Sequence, residues 1–354
     1  MNPPTAQPAV SIVVACRNEI AHIEALLNSI LGQEMDGLAW EAIIADGKSA
    51  DGTRAFLDQC SAQHPQVRVI DNPERIVSTG LNRAIEAARG DIILRMDAHT
   101  TYAPDYGRTC ISVLRSTGAD NVGGPARTRA TGLRARAVAA AYHSRFSTGG
   151  ARFHDVSYRG WADTVPYGCW RKTTLQGLGL FDETLVRNQD DELNLRLIRD
   201  GGRIWLDPAI RSWYSPRSRL SALFRQYFQY GFWKVAVIRK HRLPAWRHLV
   251  PALFVLANLF LALSLAFGLA SAQPDLVRAS AWSWFGLLGL YAAVNLAASS
   301  LTAAREGWLL LPYLPAAFAA YHFSYGFGFL LGLRWIISKP AALPRESVFT
   351  ALTR

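Results

Sequence analysis

Two residues at the end of a predicted strand are of types that can hold a divalent cation and the phosphates it bridges. The short apolar run from Ile92 to Met96 follows Gly90-Asp91 and predicts a buried strand, after which come Asp97 and His99. Residues two apart in extended backbone point to the same side, so this carboxylate and imidazole are presented together. Such a pair can ligate a hard cation. Alternatively, Asp97 caps the following turn and His99 is solvated.

A second acidic cluster, Asp190-Asp191-Glu192, opens a predicted helix in which Leu193 and Leu197 can face a core. The helix dipole favours acidic side chains in a first turn, so the cluster alone is explained as an ordinary helix start. An ionised Asp can also take a proton from an attacking hydroxyl as a general base. No Ser-His-Asp or Cys-His motif in the sequence competes for the catalytic role.

Alternating strands and helices must position these groups. Apolar runs predict strands at Val10–Cys16, Trp40–Ala45 and Val67–Ile70, ahead of the strand at Ile92, with amphipathic helices between them. This rhythm predicts an α/β fold with a doubly wound, mostly parallel sheet, whose strand ends converge on one rim. Polar residues follow the first two strands at that rim: Asn18, Glu19 and Asp46.

The acid at the second strand end indicates a nucleotide site without the usual glycine-rich motifs. Asp46 is well placed to hold a ribose or a base edge. The alternative for Asp46 is a turn cap, a role that Asp51 fills more readily. The sequence contains neither Gly-x-Gly-x-x-Gly nor Gly-x-x-x-x-Gly-Lys-Ser/Thr, which disfavours a dinucleotide fold and a P-loop.

Composition separates an ordinary soluble part from an apolar part. The chain has 354 residues, half of them hydrophobic, and a formal charge of +11, which suits nucleic acid, phosphorylated ligands or an anionic membrane face. Its four cysteines are far apart, so we expect no zinc site or disulfide framework and a reducing compartment. The segment Met1 to Val10 has no signal-peptide pattern, which predicts a cytoplasmic catalytic part.

The last third of the chain has the pattern of membrane segments. The amphipathic stretch from Arg219 to Lys240 predicts a helix in a membrane interface. Apolar runs at His248–Ala272 and Ala281–Leu301 are long enough to span, and Trp308–Ile337 predicts a broken segment followed by a span. Basic residues flank both ends of this region and favour an even number of crossings with both ends in the cytoplasm: Arg239, Lys240, Arg242, Arg247, Arg334, Lys339 and Arg345. The broken third stretch leaves three and four crossings both open.

Four motifs, in this order, resemble glycosyltransferase family 2. They are Arg17-Asn18-Glu19, the run from Asp46 to Thr53, Asn82 with Gly90-Asp91, and Asp97-Ala98-His99. The resemblance covers Val10 to Arg211 and implies a doubly wound, mostly parallel sheet of the GT-A type, followed by an interfacial helix and transmembrane helices. We expect a cytoplasmic catalytic domain at 1–215, an interfacial region at 216–247, a transmembrane region at 248–337 and a tail at 338–354.

The resemblance also implies site residues. Asp97 takes the first position of the family's Asp-x-Asp metal motif, and His99 replaces the second Asp, so both are expected to hold Mg²⁺ or Mn²⁺. The run from Asn188 to Arg196 resembles the family's Glu-Asp-x-Asp-Leu pattern with Gln189 in place of Glu, and this match puts the catalytic base at Asp190, with Asp191 as the alternative. Residues expected to bind the nucleotide-sugar are Arg17, Glu19, Asp46, Ser49, Asn82 and Asp97. Residues expected on the acceptor side are Trp170, Gln229 and Trp233.

Within the family, the motifs look most like those of bacterial exopolysaccharide glucosyltransferases of the succinoglycan type. That resemblance implies an inverting single displacement from UDP-glucose onto a polyprenyl-diphosphate-linked glycan at the bacterial inner membrane, with no nucleic-acid partner. A transferase acting on a bare polyprenyl phosphate remains an alternative. The departures at His99 and Gln189 leave open a non-catalytic subunit of a polysaccharide export complex. A sugar-phosphate nucleotidyltransferase would need a glycine-rich, arginine-bearing N-terminal loop, which Arg17-Asn18-Glu19 is not.

Overall fold

The structure is a computed structural model that describes residues 7–242 and 246–338. The described chain divides into two compact units. We call residues 7–129 with 151–215 the sheet unit, and residues 130–150, 216–242 and 246–338 the helical unit. No sequence pattern indicated that the segment 130–150 groups with the C-terminal helices. Apart from Ser338, the predicted tail, including Lys339 and Arg345, lies outside the described residues.

The first four strands lie where the apolar runs predicted them, with small shifts at their ends, and six short strands follow them. They are β1 (Val10–Cys16), β2 (Trp40–Asp46), β3 (Val67–Asp71), β4 (Ile92–Arg95), β5 (Thr100–Tyr102), β6 (Asn121–Gly123), β7 (Gly160–Ala162), β8 (Cys169–Arg171), β9 (Ile204–Leu206) and β10 (Ser212–Tyr214). Eight of them form one sheet in the order β3-β2-β1-β4-β8-β6-β9-β7, and β10 pairs with β5.

Helices follow the strands in the expected alternation. They are α1 (Ile23–Leu31), α2 (Thr53–Gln63), α3 (Val77–Ala87), α4 (Tyr106–Thr117), α5 (Leu133–His143), α6 (Arg145–Thr148), α7 (Lys172–Gly177), α8 (Gln189–Arg199), α9 (Leu220–His241), α10 (Trp246–Ala270), α11 (Pro274–Glu306) and α12 (Leu314–Ser338). Single 3₁₀ turns occur at Arg152–His154 and Trp308–Leu310.

The sheet is buried on both faces, which is why its first strands are continuous apolar runs. Strands β3, β2, β1 and β4 are parallel, whereas β8 runs antiparallel to both β4 and β6. Ile12 and Val14 of β1 belong to the core cluster that includes α1, α2 and α4, whereas Val13 belongs to the cluster that includes α3 and α8. This confirms the predicted doubly wound α/β fold. It also places the carboxyl ends of β2, β1 and β4 side by side.

The helical unit contains three helices that are long and apolar enough to cross a membrane. Their candidate spans are His248–Ala270, Pro274–Glu306 and Leu314–Trp335. The 3₁₀ turn at Trp308 and the start of α12 match the predicted broken segment followed by a span. Three is an odd number, so the described helices do not supply the even number of crossings expected from the flanking charges.

The amphipathic stretch predicted as an interfacial helix forms α9, and it packs closely along α12. A methyl group added at Gly328 would overlap the backbone of Phe228, and one added at Gly231 would overlap the backbone of Tyr325. Small residues at such crossings let helix backbones approach, as is typical of helix pairs in membranes. Much of the apolar face of α9, including Phe232, is therefore covered by protein within this unit.

Candidate active site

The loops after β1 and β2 are interlocked by hydrogen bonds between backbone and side chains. The Asn18 N–H donates to Ser49 Oγ at 2.8 Å, and the Ala50 N–H donates back to Asn18 Oδ1 at 2.9 Å. The Glu19 N–H donates to Thr53 Oγ1 at 2.8 Å. Because both loops leave neighbouring parallel strands, the two predicted nucleotide-binding motifs form one structural element at the rim.

Asp46 is the last residue of β2, and its carboxylate holds the loop that follows this strand. It is only 2% exposed, and it accepts hydrogen bonds from Ser49 Oγ at 2.6 Å and from the Ser49 N–H at 3.1 Å. Asp51 precedes Gly52, the N-cap of α2, and accepts from the N–H of Thr53 at 3.1 Å, so it closes the turn before the helix. Both acids therefore shape the loop, and the contact of Asp46 with a ribose or base remains a prediction.

Arg17 places a guanidinium group at the same rim, and one of its nitrogens lacks a hydrogen-bond partner among the described residues. The side chain is half-buried and packs against Gly47, and this nitrogen is Nε. Guanidinium groups bind phosphates with charge-assisted hydrogen bonds. A buried N–H without a partner is costly, so this nitrogen is suited to an anionic ligand.

Asp97 and His99 lie together in the turn that follows β4, not in the extended backbone from which their shared side was predicted. His99 Nδ1 is 2.9 Å from Asp97 Oδ1 and 3.7 Å from Glu19 Oε1. The Asp97 N–H donates to the hydroxyl of Tyr102 at 2.6 Å, and the ring of Tyr214 packs edge-on against the imidazole at 5.5 Å between centroids. Burial raises the pKa of Asp97, but the neighbouring His99 and Arg95 side chains outweigh it and hold that pKa well below its usual range.

The donor set fits a divalent cation only if a ligand completes the coordination. No group of three or more His, Cys, Asp or Glu side chains suited to a metal occurs among residues 7–242 and 246–338. Mg²⁺ is usually bound by one or two carboxylates together with water and substrate phosphates, and Asp97 meets that requirement. His99 is a weaker ligand for such hard cations, so Asp97 and His99 would hold the ion jointly with a diphosphate.

The three acids at the start of α8 have different surroundings. Glu192 is fully buried and pairs with Arg196 at 2.8 Å, so it serves the packing of the helix. Asp190 has 37% of its side chain exposed, and Asp191 is half-buried. Burial raises the pKa of Asp190 above its usual value, as do the charges of Asp97 and Asp191, although the adjacent Arg95 lowers it.

Arg95 is the site residue that the sequence analysis missed. It is the last residue of β4 and only 3% exposed, and its Nη1 donates to Asp190 Oδ1. Its Nη2 lies 3.9 Å from Asp97 Oδ2. The two acidic clusters, distant in sequence, are thus joined through one guanidinium. The available signal was an arginine inside an apolar strand, because a buried charge requires partners.

Asn82 supports the site from the interior. Its Nδ2 donates to the Phe181 carbonyl at 2.9 Å and to Glu183 Oε1 at 2.8 Å, and its Oδ1 accepts from the Phe181 N–H at 2.9 Å. This amide is committed to the turn that carries Phe181, so the geometry favours a positioning role over the predicted contact with a nucleotide-sugar.

The expected acceptor-side residues are buried. Trp170 is 2% exposed and belongs to the core cluster of Phe181 and Leu193. Gln229 and Trp233 are buried within the helical unit. Trp170 thus supports packing within the sheet unit, Gln229 and Trp233 support packing within the helical unit, and a direct contact of any of the three with an acceptor would require its exposure.

Comparisons with known proteins agree with this arrangement. The model of the family described as glycosyl transferase family 2 matches residues 11–170. The chain is 36% identical over 243 residues to the succinoglycan biosynthesis protein ExoA of Rhizobium meliloti (strain 1021). The matched region covers 68% of this chain and 73% of that protein. The chain belongs to glycosyl transferase family 2. This family 2 glycosyltransferase has the predicted strand-end motifs within the matched region.

Further relatives of this glycosyltransferase are more distant. It is 27% identical over 239 residues to a dolichyl N-acetyl-alpha-D-glucosaminyl phosphate 3-beta-D-2,3-diacetamido-2,3-dideoxy-beta-D-glucuronosyltransferase of Methanococcus voltae, over 65% of this chain and 74% of that one. Its fold is similar to that of the mannosyltransferase PcManGT from Pyrobaculum calidifontis, solved with GDP-Man and Mn²⁺. The TM-score is 0.57 at 20% identity, over 94% of this chain and 89% of that chain. This likeness confirms the expected fold.

Proposed function

We propose that this glycosyltransferase moves a sugar from a nucleotide-sugar, with UDP-glucose as the favoured donor, onto a polyprenyl-diphosphate-linked glycan. The observation that carries the proposal is the approach of Asp190 to the Asp97–His99 pair through Arg95. Asp97 then contributes to binding of the donor diphosphate, and Asp190 accepts the proton of the attacking hydroxyl. The name of the R. meliloti relative supports exopolysaccharide biosynthesis as the context.

The chemistry assigned to the site is a single displacement with inversion. The acceptor hydroxyl attacks the anomeric carbon as the bond to the nucleoside diphosphate breaks, and Asp190 takes the hydroxyl proton. Burial raises the pKa of Asp190, which makes its carboxylate a better base than that of a free Asp with a pKa of about 3.9. Arg17 is suited to charge that develops on the leaving diphosphate. A bound Mg²⁺ or Mn²⁺ would neutralise part of that same charge.

A lipid-linked acceptor is the partner that the apolar helices support. Three helices are long and apolar enough to span a bilayer, and such an anchor would keep the enzyme near a polyprenyl lipid. We therefore propose a multi-pass protein of the bacterial inner membrane whose sheet unit faces the cytoplasm. Nothing in this proposal requires a nucleic-acid partner.

Transfer by membranes that contain the full chain tests this proposal. Membranes would be given labelled UDP-glucose or other UDP-sugars, a mixed polyprenyl-linked acceptor pool and Mg²⁺ or Mn²⁺, and then EDTA. The expected result is UDP release with label in a lipid-linked glycan, abolished by EDTA. Label on a bare polyprenyl phosphate would support the alternative acceptor. UDP binding without release from any UDP-sugar would support a non-catalytic subunit and overturn the proposal.

A further inference from the structure

The burial of Arg95 needs an explanation beyond the packing of β4. The three preceding residues of the strand, Ile92 to Leu94, are apolar and buried, and Arg95 follows them on the face of the sheet that also carries Ile93. Burying a charged side chain is costly unless charged partners and hydrogen bonds compensate it. Its two carboxylate partners, Asp97 and Asp190, are the residues assigned above to the donor and to proton transfer.

The position of the guanidinium is set by the protein itself. The backbone N–H of Arg95 donates to the Gly168 carbonyl at 3.1 Å, which fixes the end of β4, and the guanidinium carbon lies 5.8 Å from the centre of the Phe181 ring. That ring is held in turn by the three hydrogen bonds between Asn82 and its turn. The guanidinium is therefore oriented by the Asp190 carboxylate and by the Phe181 ring, whose turn is held by Asn82 of α3.

We propose that Arg95 is a positioning residue. It holds the proton-accepting carboxylate of Asp190 at a fixed position relative to Asp97, the residue assigned to the donor diphosphate. Nη1 holds Oδ1 of Asp190, which leaves Oδ2 to accept the proton of the incoming hydroxyl, and Nη2 faces Asp97. A planar guanidinium can engage two carboxylates from two nitrogens at a fixed separation, which a lysine ammonium cannot do. This inference rests on the proposed function, because it assigns the role of Arg95 in that reaction.

The same chain contains a second arginine, Arg196, which is 19% exposed and pairs with a fully buried acid. Arg196 pairs with Glu192 and donates to the carbonyls of Leu178 and Leu180, all outside the reacting groups. Substitution of Arg196 is thus a matched control for losing a buried ion pair. A merely structural role for Arg95 predicts that both arginines affect turnover only as far as they affect folding.

The test compares Arg95→Met, Arg95→Lys and Arg196→Met in the full-length enzyme, measuring kcat, the donor KM and the melting temperature. Misplacement of a catalytic group by about 1 Å costs roughly 100-fold in rate, so Arg95→Met should lower kcat by about that factor while the donor KM changes less than about threefold. Arg95→Lys should retain the melting temperature and lose about tenfold in kcat, because a single ammonium cannot keep both the hydrogen bond to Asp190 and the guanidinium nitrogen that lies 3.9 Å from Asp97. Arg196→Met should lower the melting temperature and leave the kcat of the folded fraction near that of the wild type.

Two results would overturn the inference while leaving the proposed function intact. One is a kcat within threefold of the wild type for both Arg95 variants. The other is a loss of kcat in Arg95→Met that Arg196→Met reproduces at an equal loss of stability. If Arg95→Met does not fold, Arg95→Lys decides alone, since unchanged turnover with a lysine excludes a role that needs both guanidinium nitrogens. A wild-type enzyme that transfers no sugar from any donor would refute the proposed function and this inference with it.

Discussion

Replacement of Asn82 by alanine should destabilise the sheet unit and leave nucleotide affinity of the folded protein almost unchanged. The Asn82 amide lies in α3 and makes its three described hydrogen bonds to Phe181 and Glu183, at 2.8 to 2.9 Å. Those bonds fix the turn that follows α7. The resemblance to the family had assigned Asn82 to the nucleotide-sugar, so the experiment separates two roles for one residue.

The size of the effect follows from the groups left behind. Alanine would leave the N–H and the carbonyl of Phe181 without this partner in a buried position. An unsatisfied buried backbone group costs about 1–3 kcal/mol, so we expect a loss of about 3 kcal/mol after partial relaxation. For a domain of 150–250 residues this corresponds to a fall of about 6–12 °C in the melting temperature.

Thermal unfolding of the detergent-solubilised chain, followed by tryptophan fluorescence, would measure this shift, and UDP titration at low temperature would measure affinity. Asn82→Asp should be at least as destabilising, because a carboxylate would face the Glu183 carboxylate now 2.8 Å away. Asn28, exposed on α1, supplies the control, and Asn28→Ala should stay within about 0.5 kcal/mol of the wild type. A melting temperature within 2 °C of the wild type for Asn82→Ala, with UDP affinity reduced tenfold, would refute the reasoning.

Three further predictions address the sheet and the metal site. Glu41 is buried and accepts hydrogen bonds from two arginines, which lower its pKa although burial opposes that shift. Its contribution to the free energy of unfolding is therefore complete above about pH 4.3 and is lost as the pH falls through the pKa that Glu41 has in the folded protein. Glu41→Gln should lower the melting temperature by about 4–8 °C at pH 7, with a gap to the wild type that narrows below pH 4. His99→Asp should tighten Mg²⁺-dependent UDP binding by on the order of tenfold and His99→Ala should weaken it, because ligand charge sets the affinity for hard cations. Gly168 has a φ of +107° and abuts the ring of Trp170, so Gly168→Ala should cost about 3 kcal/mol or more in thermal unfolding, whereas Gly177→Ala, in open space, should be close to neutral.

The sequence was sufficient for the features that depend on periodicity and local chemistry. Continuous apolar runs located the parallel strands of β1 to β4, because strands buried on both faces carry no polar alternation. Asp97 and His99 were expected together from their spacing and do lie 2.9 Å apart, but a turn after β4 brings them together rather than extended backbone. Asp51 was correctly assigned as a turn cap from its place before Thr53.

Features that depend on packing between distant segments were beyond the sequence. Arg95 was counted as part of an apolar run, since its partner Asp190 lies 95 residues further along the chain. The three acids of α8 look equivalent in sequence, yet the burial of Glu192 against Arg196 is decided by the helix face that meets the sheet. The antiparallel insertion of β8 between β4 and β6 likewise follows from tertiary pairing rather than from a local pattern.

The most direct test of the central claim is transfer of labelled sugar from the nucleotide donor by Asp190→Asn compared with the wild type, in protein whose UDP binding has been verified. The substitution keeps the shape of the side chain and its contact with Arg95 but removes the proton acceptor. We predict UDP affinity within threefold of the wild type and a loss of transfer of at least about 100-fold, in the range attributed to general base catalysis. Transfer at more than a tenth of the wild-type rate would contradict the assignment of Asp190 as the base and the mechanism built on it.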